Sequence, residues 1–271
     1  MKTFLGITRE RVFSPGRVAD DAAILHLVAE RLRADGHAVT VIDGDDAHWP
    51  EVGADTVVFT MCQGDRALER LADWEAAGVR VVNRPDGIRN CQRHRTVPLL
   101  TAAALPVPPS LLVTTAAEPA WPGWATAGLW VKRGDVHATE PADVVFAPER
   151  AAAGAALRGF YDRGIARAVL QQHAPGVVLK FYAVTDRFFF CVPPADAGLP
   201  GPDVLARVRD LGARAARALR VEVYGGDCVV AADHQVTLID LNDWPSYAAC
   251  RVEAAPSIAA CVLASNPARN Q

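Results

Sequence analysis

Short apolar runs alternate with amphipathic stretches along the first third of the chain. "TFLGIT" (3–8) reads as a strand. Over 18–34 the apolar positions recur at helical spacing, with Ile24, Leu25, Val28 and Leu32 on one face. Gly36 is placed to stop that helix. "AVTVID" (38–43), "DTVVFTM" (55–61) and "VRVVN" (79–83) read as three more strands, with a helix over 65–78 between the last two. Strands and helices alternating at this pitch predict a small parallel α/β unit.

After residue 84 the pattern changes. Pro85, Asp86 and Gly87 predict a linker or turn, followed by a basic helix with Arg89, Arg93, His94 and Arg95. Strands are predicted within "LPVPPSLLV" (105–113), "GLWVKRGD" (128–135), "DVVFA" (143–147) and "ARAVLQQHAPG" (166–176), with a helix over 149–163. Residues 115–127 read as a loop, and the tryptophans of "PAWPGWATAGLW" suit a lid or core role. "VVLKFYAVTDRFFFCV" (177–192) reads as a hairpin turning at Thr185-Asp186. "VYGGDCVVAADHQVTLIDLN" reads as a second, turning at Asp233-His234, and helices are predicted over 202–220 and 252–264. The expectation is an α+β fold with two β layers behind a small parallel α/β domain.

Composition narrows the classes. With 271 residues, 51% of them hydrophobic, the chain can bury one large core or two to three small ones. A net charge of -3 gives no basic field for nucleic acid. No apolar run reaches the length of a membrane span, and "MKTFLGITRER" turns charged too soon for a signal peptide. The cysteines at 62, 91, 191, 228, 250 and 261 are scattered, without a C-x-x-C pair. Reduced thiols in a cytoplasmic protein are expected, and no structural zinc site. No G-x-G-x-x-G follows the first strand, and there is no G-x-x-x-x-G-K-[ST]. Three lysines, Lys2, Lys132 and Lys180, stand against 25 arginines. In such a chain a retained lysine suggests a need for a compact ammonium.

The candidate chemistry begins at "LIDLND". On a strand, Asp240 and Asn242 share one face while Ile239 and Leu241 take the other. Asp227, on the partner run, is a third oxygen donor within reach across the hairpin. Mg²⁺ favours a few such ligands completed by water and phosphate. The plainer alternative is that these residues cap a strand and close a turn; three of them converging favours the metal. Lys132 and Lys180 each lie inside an apolar β run. A buried ammonium is costly without an anion, and a polyphosphate would supply one; the alternative is a surface-facing strand position. "AVLQQHAPG" is either a plain turn or a hinge whose backbone groups meet an adenine edge.

In chain order, Arg95, Lys132, the loop 133–140, Gln171-Gln172-His173-Ala174-Pro175-Gly176, Asp227 and Asp240-Leu241-Asn242 resemble the ATP-grasp superfamily. The resemblance implies an ATP-grasp fold, two α+β subdomains gripping ATP, behind a pre-grasp domain. Its implied boundaries are 1–88 for the pre-grasp domain, 89–172 for the lid subdomain and 173–271 for the metal-binding subdomain. It further implies ATP and one or two Mg²⁺ as cofactors. Arg95, Lys132 and Lys180 would meet the phosphates, and Gln171, Gln172, His173 and Ala174 would hold the adenine. Asp227, Asp240 and Asn242 would hold the metal. Lys132, Lys180 and Arg251 would serve catalysis, and His137, Arg133 and Ser246 would face a small-molecule substrate. For His137 an ordinary loop role is an equal alternative. The chain departs from the family pattern in three places: Asp240 replaces the more frequent Glu, Pro245-Ser246 stands where Pro-Gly is common, and the loop has few glycines.

Three functions stay open. Carboxylate–amine ligases of this superfamily phosphorylate a carboxylate, and an amine captures the acyl phosphate. Inositol trisphosphate kinases are similar in the Lys132–His137 spacing, in "LKFYAV" and in "DLNDWP". A non-catalytic ATP-binding module is the third. The ligase ranks first on family frequency, and a homodimer is compatible with the resemblance.

Overall fold

The computed structural model describes residues 2–126, 128–136, 139–195 and 198–264. Its first sheet is parallel, in the order β2-β1-β3-β4. The strands are β1 (Thr3–Ile7), β2 (Ala38–Ile42), β3 (Thr56–Thr60) and β4 (Arg80–Val82). Helices α1 (Val18–Ala34) and α2 (Asp65–Ala76) cover its two faces. Alternation along the strands sorts the core. Phe4, Val57 and Phe59 pack with Ile24, Leu25 and Val28 of α1. Leu5, Ile7 and Val58 pack with Leu68, Leu71 and Trp74 around α2. Burial on both faces explains why β1, β3 and β4 are almost wholly apolar, while β2 at the edge stays partly exposed.

The chain then leaves the sheet through α3 (Pro85–Asn90) and α4 (Arg93–Ala102). This corrects the expected linker: Pro85 occupies the first turn of a helix, where its missing N–H costs nothing. The basic stretch is two helices, because the chain breaks at Cys91 and Gln92. The second sheet is antiparallel, in the order β5-β8-β6-β7. It comprises β5 (Ser110–Thr114), β6 (Leu129–Arg133), β7 (Val144–Ala147) and β8 (Arg167–Gln172). Leu157 and Phe160 of α5 (Arg150–Asp162) cover it through Leu129, Val131 and Leu170.

The third sheet, also antiparallel, runs β10-β9-β11-β12. Its strands are β9 (Val177–Val184), β10 (Phe188–Val192), β11 (Val223–Val230) and β12 (Val236–Asp243). Val208, Leu211 and Leu219 of α6 (Pro202–Leu219) pack on Phe181, Leu238 and Leu241. Leu100 of α4 joins this core rather than that of the second sheet. The last helix, α7 (Arg251–Leu263), returns to the first unit, where Ala254, Ile258 and Val262 share a core with α1 and Tyr182. Two antiparallel layers with flanking helices behind a parallel sheet is the architecture that the residue pattern predicts. All six cysteines are free thiols. No described helix is long and apolar enough to cross a membrane.

Asn83 fixes the first sheet to the third. Its side chain is fully buried just after β4. Nδ2 donates to the Val223 carbonyl at 2.7 Å, and Oδ1 accepts from the N–H groups of Glu222 and Val223 at 2.9 Å each. Asn83→Ala removes three hydrogen bonds and leaves their backbone partners buried. A loss of about 3 kcal/mol in unfolding free energy is expected, measurable by urea denaturation. Wild-type stability in the variant would show that this joint does not hold the units together.

Candidate active site

A cleft of about 890 Å³ opens between the second and third sheets and is closed on one side by the first unit. That volume suits a nucleotide-sized ligand. The floor is the third sheet. Lys180, Asp227 and Asp240 stand in one row across β9, β11 and β12, and Tyr182, Gly225 and Asn242 form the next row on that face. Lys180 Nζ donates to Asp227 Oδ1 at 2.8 Å. Burial pulls the Lys180 ammonium down, but the Asp227 charge and hydrogen bond outweigh it and hold its pKa above the ordinary value.

β12 does not alternate simply. The register steps from Asp227↔Asp240 to Cys228↔Leu238, so Ile239 is the extra residue of a β-bulge. This corrects the expectation that Ile239 sits across the strand from Asp240: Ile239 lines the cleft with it. The bulge lets Leu238 and Leu241, three apart, both face the α6 core. It also turns the Ile239 carbonyl toward Lys132, whose Nζ donates to it at 2.9 Å. Gly226 permits the close pairing here, since a Cβ on it would lie 2.5 Å from the Asp240 carbonyl oxygen.

The opposite wall comes from β6 and β8. Trp130, Lys132, Gln171, Gln172, His173 and Ala174 line it. Lys132 is 6% exposed. Burial pushes its pKa down to about 8; Asp240 opposes that fall and Arg93 adds to it. Arg93, the first residue of α4, is equally buried and donates to Asp240 Oδ2 at 2.6 Å. A third element approaches from the loop after β6. The fully buried Asp143 accepts from the Thr139 N–H and hydroxyl at 2.8 and 3.0 Å and pairs with Arg163. This brings Thr139 and Glu140 to the cleft.

The sequence-derived site residues therefore divide. Lys132, Lys180, Gln171 to Ala174, Asp227, Asp240, Asn242 and Ser246 all border the cleft. Arg95 is exposed on α4, off the cleft wall that Arg93 lines. Arg133 is directed to Asp135 at 2.6 Å and toward Asp143. Arg251 lies outside the cleft and ties it together, donating to the Ser246 carbonyl at 3.0 Å and to Asp20 at 2.9 Å. His137 lies outside the described residues. Sequence reasoning placed the substrate beside the loop after the first strand, 8–17, where Arg9 lines the cleft, but it missed Arg93, Gln63 after β3 and Tyr182 on β9. Arg9 is held by Asp21 at 3.0 Å and donates to the Trp244 carbonyl at 2.8 Å.

Among the described residues, no group of three or more His, Cys, Asp or Glu side chains is placed to hold a metal ion. Two carboxylates and one carboxamide on one face make an incomplete oxygen shell. Such a donor set fits Mg²⁺, which takes few protein ligands and completes its octahedron with water and phosphate oxygens.

Solved structures share this arrangement over nearly the whole chain. A RimK domain ATP-grasp protein from Sphaerobacter thermophilus superposes with a TM-score of 0.72 at 18% identity, covering 96% of this chain and 100% of that one. D-alanyl-alanine synthetase A from Vibrio cholerae gives 0.74 at 11% identity, covering 96% and 97%. The chain has the ATP-grasp fold. The D-alanine–D-alanine ligase from Bacillus anthracis, complexed with ATP, gives 0.70 at 11% identity over 97% and 98%. In ATP-grasp terms the two antiparallel sheets are the gripping layers, and the parallel sheet is the pre-grasp unit. No family model matches the chain. A curated adenylate kinase from Trichlorobacter lovleyi is 33% identical over 90 residues, which are 33% of this chain and 41% of that one. The match thus spans about two fifths of that relative, and this chain has no phosphate-binding G-x-x-x-x-G-K-[ST].

The buried Lys132 makes stability depend on pH. It titrates at about 8 in the folded chain, against 10.5 for an ordinary lysine. Between those values the unfolded chain holds one more proton than the folded chain, so raising the pH favours folding. Lys132→Met removes this dependence. The unfolding free energy of wild type minus variant should rise by up to about 3 kcal/mol between pH 8 and 10.5. Denaturant titrations at several pH values measure it, and a flat difference would mean that Lys132 is not held neutral there.

Proposed function

We propose that the chain binds ATP with Mg²⁺ in this cleft and transfers the γ-phosphoryl group to a small-molecule carboxylate, giving an acyl phosphate that an amine captures. The observation that carries this reading is the convergence, from separate walls, of Arg93, Lys132 and Lys180 with Asp227, Asp240 and Asn242. Phosphoryl transfer needs positioning and charge stabilisation more than covalent participation by the protein, and this set offers both. Two of the structural neighbours are D-alanine–D-alanine ligases by name, which supports a ligase over other uses of the fold.

Each residue then has a role. Gln171 to Ala174 border the adenine end; the N–H groups of Gln172 and His173 are already given to the Pro109 and Gly128 carbonyls at 2.9 and 2.7 Å, so neither is a donor for the base. Arg93, Lys132 and Lys180 meet the phosphates. Asp227, Asp240 and Asn242 would hold Mg²⁺, which neutralises charge on the β- and γ-phosphates when bound. Arg9, Gln63 and Ser246 face the acceptor end, with Arg251 positioning Ser246 through its carbonyl. In the first step a carboxylate oxygen attacks the γ-phosphorus and the bond to ADP breaks. In the second an amine nitrogen attacks the acyl carbon, phosphate leaves, and the amine gives up a proton.

The test is ATP turnover with Mg²⁺ against amino acids, small carboxylates and polyols, with ADP, AMP and phosphate resolved. ADP, free phosphate and a new amide are expected. Phosphate retained on a hydroxyl would make the chain a kinase, and AMP would exclude γ-phosphoryl transfer. Asp240→Ala should keep its fold and lose turnover by about a hundredfold or more, read as kcat under saturating ATP. Undiminished turnover in that variant would remove Asp240 from the proposed metal site.

A further inference from the structure

The two carboxylates assigned to the cation already have cationic partners. Arg93 binds Asp240 at 2.6 Å with its side chain 7% exposed, and Lys180 binds Asp227 at 2.8 Å. Lys132 adds a third positive charge beside Asp240 while donating to a neutral carbonyl. Three cations thus surround two carboxylates. Both carboxylates are thus neutralised by paired cations before any ligand arrives, and a divalent cation must displace those partners to reach them. The Arg93 pairing is also incomplete: its Nε is buried without a hydrogen-bond partner. A buried donor in that state gains from any acceptor that completes its set.

We infer that Arg93 and Lys180 are resident counter-ions of Asp240 and Asp227, so that this cleft takes a divalent cation only together with a polyphosphate. Phosphate oxygens draw the Arg93 and Lys180 head groups off the carboxylates, and the freed carboxylate oxygens then accept the cation that the phosphates carry. No charge is left unpaired at any stage. Metal and polyphosphate tighten each other's binding by the same factor, as linkage requires. This rests on the ATP reading above for the identity of the polyphosphate, but not for the behaviour of the metal alone. It also assigns Arg93 a role beyond contacting phosphate: it sets which form of the cation is admitted.

Manganese reports on this without turnover, since its EPR signal is lost on binding. The full chain without nucleotide should bind Mn²⁺ more weakly than about 1 mM, the weak end of oxygen-ligand sites. Arg93→Met exposes Asp240 and should bind Mn²⁺ at least about tenfold more tightly; Lys180→Met should do the same through Asp227. Arg93→Lys keeps the charge and should behave as wild type, which a merely structural role of the guanidinium would not predict. Lys180 is half-exposed, so Lys180→Met serves even if Arg93→Met does not fold. Wild-type binding of Mn²⁺ alone below about 0.1 mM, or no gain in either Met variant, overturns the inference. Calorimetry of ATP with and without Mg²⁺ is read separately. No ATP binding there would remove the nucleotide reading, while the Mn²⁺ series still decides whether the counter-ions exclude the bare metal.

Discussion

A buried ammonium must find an acceptor, and most of the cleft is arranged around how Lys132 finds one. It lies on β6, with an apolar core behind it. β12 is the edge strand of its sheet, so part of its carbonyls lie outside the ladder. The bulge at Ile239 aims one of them at Lys132, which takes it at 2.9 Å. That bond joins the two gripping layers, as Arg93 does between Asp240 and the Arg133 carbonyl. The same bulge brings Asp240 opposite Asp227 and keeps Leu238 and Leu241 on the apolar side. Without it the core residues and the carboxylates of this strand could not keep their present faces together.

The strands and most helices were legible because their signals are local. A period of two or of 3.6, ended by Gly, Pro or Asp, needs no partner to be read. The closeness of Asp227 to Asp240 was legible for the same reason, since the hairpin at Asp233-His234 pairs their strands; the place of Lys180 beside them depends on the β9–β11 pairing. Where reading failed, the cause was a break in phase. The interruption at Cys91 and Gln92 starts a new helix, so Arg93 rather than Arg95 faces the cleft. The bulge shifts β12 by one residue, so Ile239 changes side. Gln63 carried no motif, because its position depends on where the first unit docks.

That docking also explains the turn "DWPSY" that follows β12. Trp244 and Tyr247 both have positive φ, 26° and 49°. Such conformations cost roughly 1–3 kcal/mol each and persist when their surroundings hold them. Here the Trp244 N–H donates to Val223 at 3.0 Å and its carbonyl accepts from Arg9 at 2.8 Å. The Tyr247 hydroxyl reaches the Ala183 and Tyr224 carbonyls at 2.6 and 3.0 Å. The Trp244 ring lies against Phe59 of the first sheet. The strain is thus met by contacts from both units, and it turns Pro245 and Ser246 into the cleft.

The choice of lysine over arginine follows from these contacts. The chain uses arginine 25 times and lysine three times, yet two of those three lysines are in the cleft. Arg93 can be an arginine because Asp240 and the Arg133 carbonyl are spread across its fork, at 2.6 and 3.3 Å. Lys132 has one carbonyl behind a bulge and an apolar sheet around its stem, a place for a point charge. An ammonium there can also respond to what binds beside it. Burial brings its pKa to about 8, within reach of neutral pH, and a bound polyanion would favour the charged form. A guanidinium stays charged whatever its surroundings, so it could not link protonation to ligand in this way. Lys132 thus couples its proton to what binds beside it, while Arg93 and Lys180 keep the carboxylates paired only until a polyanion draws them away.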